Sequence, residues 1–512
     1  MPENWTRRQV LQRGGAAVGV VGLGLAGFGG YEWPHAAAAA PADPHPPAAA
    51  TTGQSDVDYF VTMSGVHPPA VAVTQNAGAA SQPPYIFIAP RGYAAKSLGK
   101  SGLIIVDRDG QLVWFGSPIG GTPLNFTTQQ YQGQQVLTWS AGYVNAVGVT
   151  YGTSYIADSS YRVLATVKAG NGAETDLHEF NLTPQGTALI AAHRAVSRDL
   201  SSLGGPVKGV VLTSIAQEID VATGKVLFEW DSIDHVPLTE SHQPLMGGTA
   251  KTPYDYFHIN SVALAPDGDL LISSRNTWTI YKVARPGGAI QWRLGGKKSD
   301  FKAGSGATFE WQHDARMPAA DRLTLFDNAS SPPEEGQSRA LLLAVDTAAM
   351  RVTLKQAYTH PASLLVDNQG SVQLLPDGRV FVGWGAQPYF SEFASDGSLL
   401  LDGRLPLNDQ SYRAFTSAWS GKPTGNPAVA ARPNPARGTA VYASWNGATD
   451  VQTWTVLAGP KPSALTLAGS QPRAGFETLI PVDSEGPYFA VTAHDATGKQ
   501  LGKSPAVRRT TA

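Results

Sequence analysis

Three of the eleven histidines, His178, His258 and His313, recur at one place in a repeated unit of this chain. His178 stands eight residues before Gly186 and His258 ten before Gly268, while His313 precedes the strand pair that reaches Asp327. In an extended strand, positions i and i+2 share a face, which sets Asn260 beside His258. A two-residue hairpin turn at Asp267-Gly268 would then place Arg275 directly across from Asn260, and the same turn at Gln185-Gly186 would place His178 opposite His193. An Arg fork, an amide and several imidazoles form a donor set for a tetrahedral oxyanion such as sulfate or phosphate. An unprotonated imidazole among them adds a nucleophile, and so group transfer through a covalent intermediate. Three imidazoles also match a catalytic zinc set, although Arg275 would be a poor neighbour for a cation. Asp255, Asp314 and Asp327 lie near the histidines in sequence and are candidates to orient an imidazole.

These residues need elements that bring them together. Leu182–His193, Leu264–Arg275 and Leu374–Gly385 can be laid over one another, each reading as strand, tight turn and strand. Two of them continue to a third strand and another Gly turn, closing with Ala289–Arg293 and Ser398–Asp402. Four antiparallel strands make a propeller blade, whose first strand is innermost and starts at one mouth of the channel. Further units are suggested by Leu103–Trp114 and by Leu323–Asp327 with Ala340–Val345. The expectation is an all-β chain with a catalytic six-bladed β-propeller over residues 55–415. A linker over 416–435 and a small fibronectin- or Ig-like β-sandwich over 436–512, with a structural or docking role, would follow. A pair of β-sandwiches is the competing architecture.

Composition supports strands and turns. Charged residues are 15% of the 512, against 55 Gly, 37 Pro and 12 Trp. The formal net charge of −2 offers no basic stripe for nucleic acid. With no cysteine, disulfides, thiol catalysis and iron-sulfur clusters are excluded. No Gly-x-Ser-x-Gly elbow and no phosphate-cradling Gly-x4-Gly-Lys-Ser/Thr loop occurs. Thr6-Arg7-Arg8-Gln9-Val10-Leu11 and the Gly/Ala-rich run behind it read as a twin-arginine signal peptide over 1–40, with a Pro/Ala linker over 41–54. The expected product is secreted, periplasmic or held in the cell envelope, without a stable membrane span in the mature chain.

Asp255-Tyr-Phe-His-Ile-Asn-Ser-Val262, Leu271-Ile-Ser-Ser-Arg-Asn276, Ile290-Gln-Trp-Arg-Leu-Gly-Gly-Lys297, Phe309-Glu-Trp-Gln-His-Asp314 and Leu325-Phe-Asp-Asn328 together resemble the arylsulfotransferase family. The likeness runs from the Tyr59 region to about Gly403, and the C-terminal sandwich looks like that of secreted bacterial members. The resemblance implies a transferase of sulfur-containing groups that moves a sulfuryl group from a phenolic sulfate ester to a phenolic acceptor, without the nucleotide sulfate donor PAPS. It also implies a ping-pong mechanism in which His313 is transiently sulfated, with no cofactor and no metal. His258, Asn260 and Arg275 match the group that holds the sulfuryl oxygens, and His178 matches a further active-site histidine. The alternative is a non-enzymatic extracytoplasmic propeller that binds a glycan, wall polymer or protein.

Overall fold

A computed structural model describes residues 56–79, 82–92, 101–117, 119–145 and 148–510. The expected signal peptide and the Pro/Ala linker lie outside the described residues. Among these, strands dominate, and the helical elements are short 3-10 turns such as Ser201–Leu203. Among the described residues, no helix is long and apolar enough to cross a membrane.

The fold is an all-β propeller. Among the described residues, six sheets of four or five strands precede the C-terminal region. Their inner strands are Thr122–Tyr131, Glu174–Leu182, Ile259–Leu264, His313–Ala319, Ser371–Leu374 and Ala414–Ser417. Each lies beside the next, and Ala414–Ser417 returns to Thr122–Tyr131, so the sheets close into a ring. Both ends of the propeller chain help to close it. Ala414–Ser417 pairs with Tyr85–Ile88, and Ala72–Gln75 pairs with Leu399–Arg404.

Strand alternation builds the packing between sheets. Ile272 and Tyr281 point into one apolar core, shared with Leu189 and Val211 of the preceding sheet. Their neighbours Leu271 and Ile280 point the other way, into a core shared with Leu323 and Leu341 of the following sheet. A strand buried on both faces reads as a nearly continuous apolar run, and Leu270–Ser274 and Thr279–Val283 are buried throughout.

The turns set a register that differs from the expected one. At Pro266-Asp267-Gly268, Gly268 N–H donates to the Ala265 carbonyl (2.9 Å) and Ala265 N–H to the Asp269 carbonyl (2.8 Å), with Gly268 at φ +87°. This is a three-residue loop closed by a left-handed glycine, so the pairing slips by one residue. Ser261 faces Ser273, and a second irregularity at Asn260 leaves Ile259 facing Ser274. Asn260 is therefore not across from Arg275. In the preceding sheet a similar irregularity between Thr175 and Phe180 leaves His193 opposite Glu174 rather than His178.

The C-terminal region forms two sheets, Ala428–Pro433 with Thr439–Ser444 and Glu477–Val482, and a second around Thr453–Gly459 and Tyr488–His494. Val441, Ile480, Trp454 and Val491 share the core between them. Ala428–Pro433 falls in the stretch expected to be a linker. Its small residues between prolines resemble a spacer until they pair with Thr439–Ser444. Asn446 fastens this region to the propeller, its Oδ1 accepting from Phe115 N–H (2.9 Å) and its Nδ2 donating to the Phe115 carbonyl (2.8 Å).

Candidate functional site

The bulges that shift the register also deliver the site residues to the inner strands. His258 precedes its inner strand with φ +55°, and Trp311 and Asp314, on either side of His313, have φ +58° and +54°. Such backbone costs about 1–3 kcal/mol per residue and tends to cluster at functional sites. His178 lies within its inner strand and His313 opens its own.

The structure brings the three expected histidines together. The His178 and His258 ring centroids are 5.1 Å apart, and both rings, with Arg275, bear electrostatically on His313. Each imidazole has its own Nδ1 partner. His258 Nδ1 lies 2.6 Å from Asp255 Oδ2, His178 Nδ1 contacts Asp176 Oδ1, and His313 Nδ1 lies 2.7 Å from Asn328 Oδ1. Burial pushes the Asp176 carboxyl up, but His178 and His193 outweigh it and hold that group well below the usual carboxylate range.

His313 is almost completely buried, at 1% exposure. Burial, and then the Arg275 guanidinium, hold its imidazole well below the ordinary histidine pKa, with the Asn328 contact acting in the opposite sense. Its Nε2 accepts from the backbone N–H of Gln369 at 3.3 Å. That backbone is tightly seated: a Cβ on Gly385, at φ +53°, would come within 2.6 Å of the Gln369 carbonyl carbon.

Arg275 is half-buried with its guanidinium 4.6 Å over the Trp311 ring, donating to Asn276 Oδ1 (3.1 Å) and the Asp367 carbonyl (3.2 Å). Its backbone N–H donates to the His258 carbonyl (3.0 Å), which keeps the two side by side despite the shifted register. Burial lowers its pKa to about 10, which leaves it cationic at neutral pH. Asn260 is fully buried, and its Nδ2 donates to the Gln312 carbonyl (2.7 Å) while its Oδ1 has no partner. In this arrangement its amide hydrogens brace the residue before His313.

Of the carboxylates expected to orient an imidazole, Asp255 does so. Asp314 pairs instead with Arg316 (2.7 Å) and Arg413 (3.5 Å), and Asp327 with Arg339 (2.6 Å). Glu179 joins Asp314 by binding Arg316 (2.6 Å) and Arg413 (3.0 Å), a four-member charge cluster in which Glu179, Asp314 and Arg413 directly follow His178, His313 and Tyr412. A cavity of about 300 Å³ opens onto this cluster, lined also by Gln129, Asn181 and Gln373, and no histidine of the site lines it. His193 is turned away, with Nε2 2.8 Å from the Thr150 carbonyl.

Sequence reasoning missed Asp176, Asn328, Gln369 and Tyr412, whose hydroxyl donates to the His178 carbonyl (3.3 Å). Asp176, two residues before His178, left a signal: Asp255 stands three before His258. The spacing is ambiguous, because Glu310 stands three before His313 yet clusters with Asp327 and Glu335.

A sequence profile of the family described as Arylsulfotransferase (ASST) matches residues 127–405, more than half of the chain. The chain belongs to the arylsulfotransferase family. The match spans all three histidines, Asn260, Arg275 and Asn328. No curated protein matches this chain. Among solved structures, a protein of unknown function from Bacteroides caccae is 12% identical, with a TM-score of 0.39 over 65% of this chain and 98% of that one. A protein from Lactobacillus plantarum is 15% identical, with a TM-score of 0.35 over 78% and 99%. A gluconolactonase from Xanthomonas campestris is 12% identical, with a TM-score of 0.31 over 73% and 97%.

Proposed function

We propose that this arylsulfotransferase-family protein moves a sulfuryl group from a phenolic sulfate ester to a phenolic acceptor, with His313 as covalent carrier. The observation that carries the reading is the buried His313 imidazole, kept neutral beside a cationic Arg275 and two carboxylate-paired histidines. In the first half-reaction a lone pair of His313 forms an N–S bond while the ester S–O bond breaks, its electron pair leaving on the phenolate oxygen. Arg275 offsets the charge on the sulfuryl oxygens, and a protonated His258 or His178 gives the leaving oxygen a proton. In the second half-reaction the acceptor phenol loses its proton to that imidazole. An O–S bond forms, and the N–S electron pair returns to His313.

The test is intact-mass analysis of purified protein after brief mixing with a chromogenic aryl sulfate and no acceptor. The expected result is a gain of about 80 Da on His313, discharged by added phenol, as a covalent intermediate requires. A folded sample that releases no phenol and gains no mass would overturn the reading in favour of a binding propeller. Export by the twin-arginine route belongs to the same proposal. Replacing Arg7 and Arg8 by lysine should hold the precursor in the cytoplasm, and continued export would count against it.

A further inference from the structure

We infer that Asn328 is a positioning residue that fixes His313 as the Nδ1–H tautomer and so presents Nε2 as the sulfuryl-accepting nitrogen. The inference rests on His313 being the carrier, and it adds which ring atom reacts and what selects it.

The orientation of the Asn328 amide is settled by its surroundings. Its Nδ2 donates to two backbone carbonyls, Val366 (3.0 Å) and Gln369 (2.9 Å), so the amide nitrogen must face them. Oδ1 is then the atom that meets the imidazole, 2.7 Å from Nδ1. An amide oxygen only accepts, so Nδ1 must carry the proton. The other side of the ring agrees, since the Gln369 backbone N–H points at Nε2, and a backbone N–H only donates. Two independent partners thus demand the same tautomer.

The choice of an amide matters as much as its position. His178 and His258 rest on the carboxylates of Asp176 and Asp255. Asn328 gives His313 a fixed orientation without a negative charge. The other titratable and charged groups that bear on the ring are Arg275, His178 and His258, and all three disfavour a protonated His313. The adjacent carboxylates are engaged elsewhere, Asp314 with Arg316 and Arg413, Asp327 with Arg339. Asn328→Asp would place an anion where the structure has none.

When Nε2 forms its bond to sulfur and the phenolate leaves, the Nδ1 proton stays on the ring. The sulfated ring is then an imidazolium, a better leaving group for the second transfer than a deprotonated one, and Oδ1 of Asn328 accepts its hydrogen bond. The contact between Gln369 N–H and Nε2 must break in the same step.

The experiment combines ring nitrogen-15 NMR of the full-length protein, with His313 assigned by its loss in His313→Gln, and single-turnover sulfation of Asn328 variants. In the wild type His313 should be the Nδ1–H tautomer at pH 7; an Nε2–H tautomer overturns the inference. Asn328→Ala should slow sulfation by about ten- to a hundredfold with donor affinity little changed, as expected for a misplaced reacting atom. Asn328→Asp should move the acidic limb of the sulfation pH profile upward. A wild-type rate in Asn328→Ala together with an unmoved profile in Asn328→Asp overturns the inference. If the Asp variant does not fold, the wild-type tautomer and the Ala variant still decide. A protein with the Nδ1–H tautomer that never accepts a sulfuryl group would overturn the sulfotransferase reading and with it Nε2 as nucleophile, a result distinct from a wrong tautomer.

Discussion

The Asn260 side chain donates to the backbone carbonyl of Gln312, 52 positions away, and so ties the strand that follows His258 to the one that begins at His313. Neither partner is exposed: both residues are fully buried. Asn260→Ala leaves the Gln312 carbonyl without its donor, which should cost about 1–3 kcal/mol of stability. Because that carbonyl belongs to the residue before His313, sulfation should slow in the same variant. Chemical denaturation and single-turnover kinetics check the two effects.

Arg275 is held by its fork and by stacking over Trp311, features that lysine cannot reproduce. Arg275→Lys should lower the sulfation rate by about a hundredfold, near the loss of a single transition-state donor, while circular dichroism stays unchanged. A near-wild-type rate would mean that charge alone suffices.

The depressed pKa of His313 has two consequences of known sign. The ring stays neutral as pH falls, so the acidic limb that His313 sets in the sulfation profile should lie below the ordinary histidine range. For folding, the unfolded chain takes up a proton below the ordinary pKa of 6.5 that the native ring refuses. Native stability is then lost on acidification by up to about 1.4 kcal/mol per pH unit, a slope that His313→Gln should reduce. Urea midpoints of both proteins across that range measure it.

Glu179 bonds to both Arg316 and Arg413 at the centre of the ring. Glu179→Gln removes the shared anion and leaves Asp314 alone against two guanidinium groups, one of them deeply buried. A loss of about 3–5 kcal/mol is expected, as when one member of a buried ion pair is removed. Thermal unfolding checks it, and an unchanged midpoint would show that the cluster is solvated.

What the sequence determined by itself was everything that depends on local period and turn chemistry. Two-residue alternation and Asp-Gly turns are properties of consecutive residues, and they reveal repeated four-stranded units. The recurrence of His178, His258 and His313 within those units was enough to predict that they converge. Equivalent positions around a ring must meet at its axis.

The tertiary structure decided what depends on residues far apart. Register could not be read from the turns alone, because a left-handed Gly268 and bulges at Asn260 and before Phe180 each shift it. Closure was likewise hidden, since Ala72–Gln75 and Ala414–Ser417 complete sheets whose other strands lie far along the chain. The Nδ1 partner of each histidine is the sharpest case. Asp176 and Glu310 stand at similar short spacings before His178 and His313, yet only Asp176 meets its histidine, and His313 finds Asn328 instead. An imidazole chooses its partner by where the folded backbone puts it, and at His313 that backbone is shaped by left-handed residues on either side and by Gln369 of the next inner sheet.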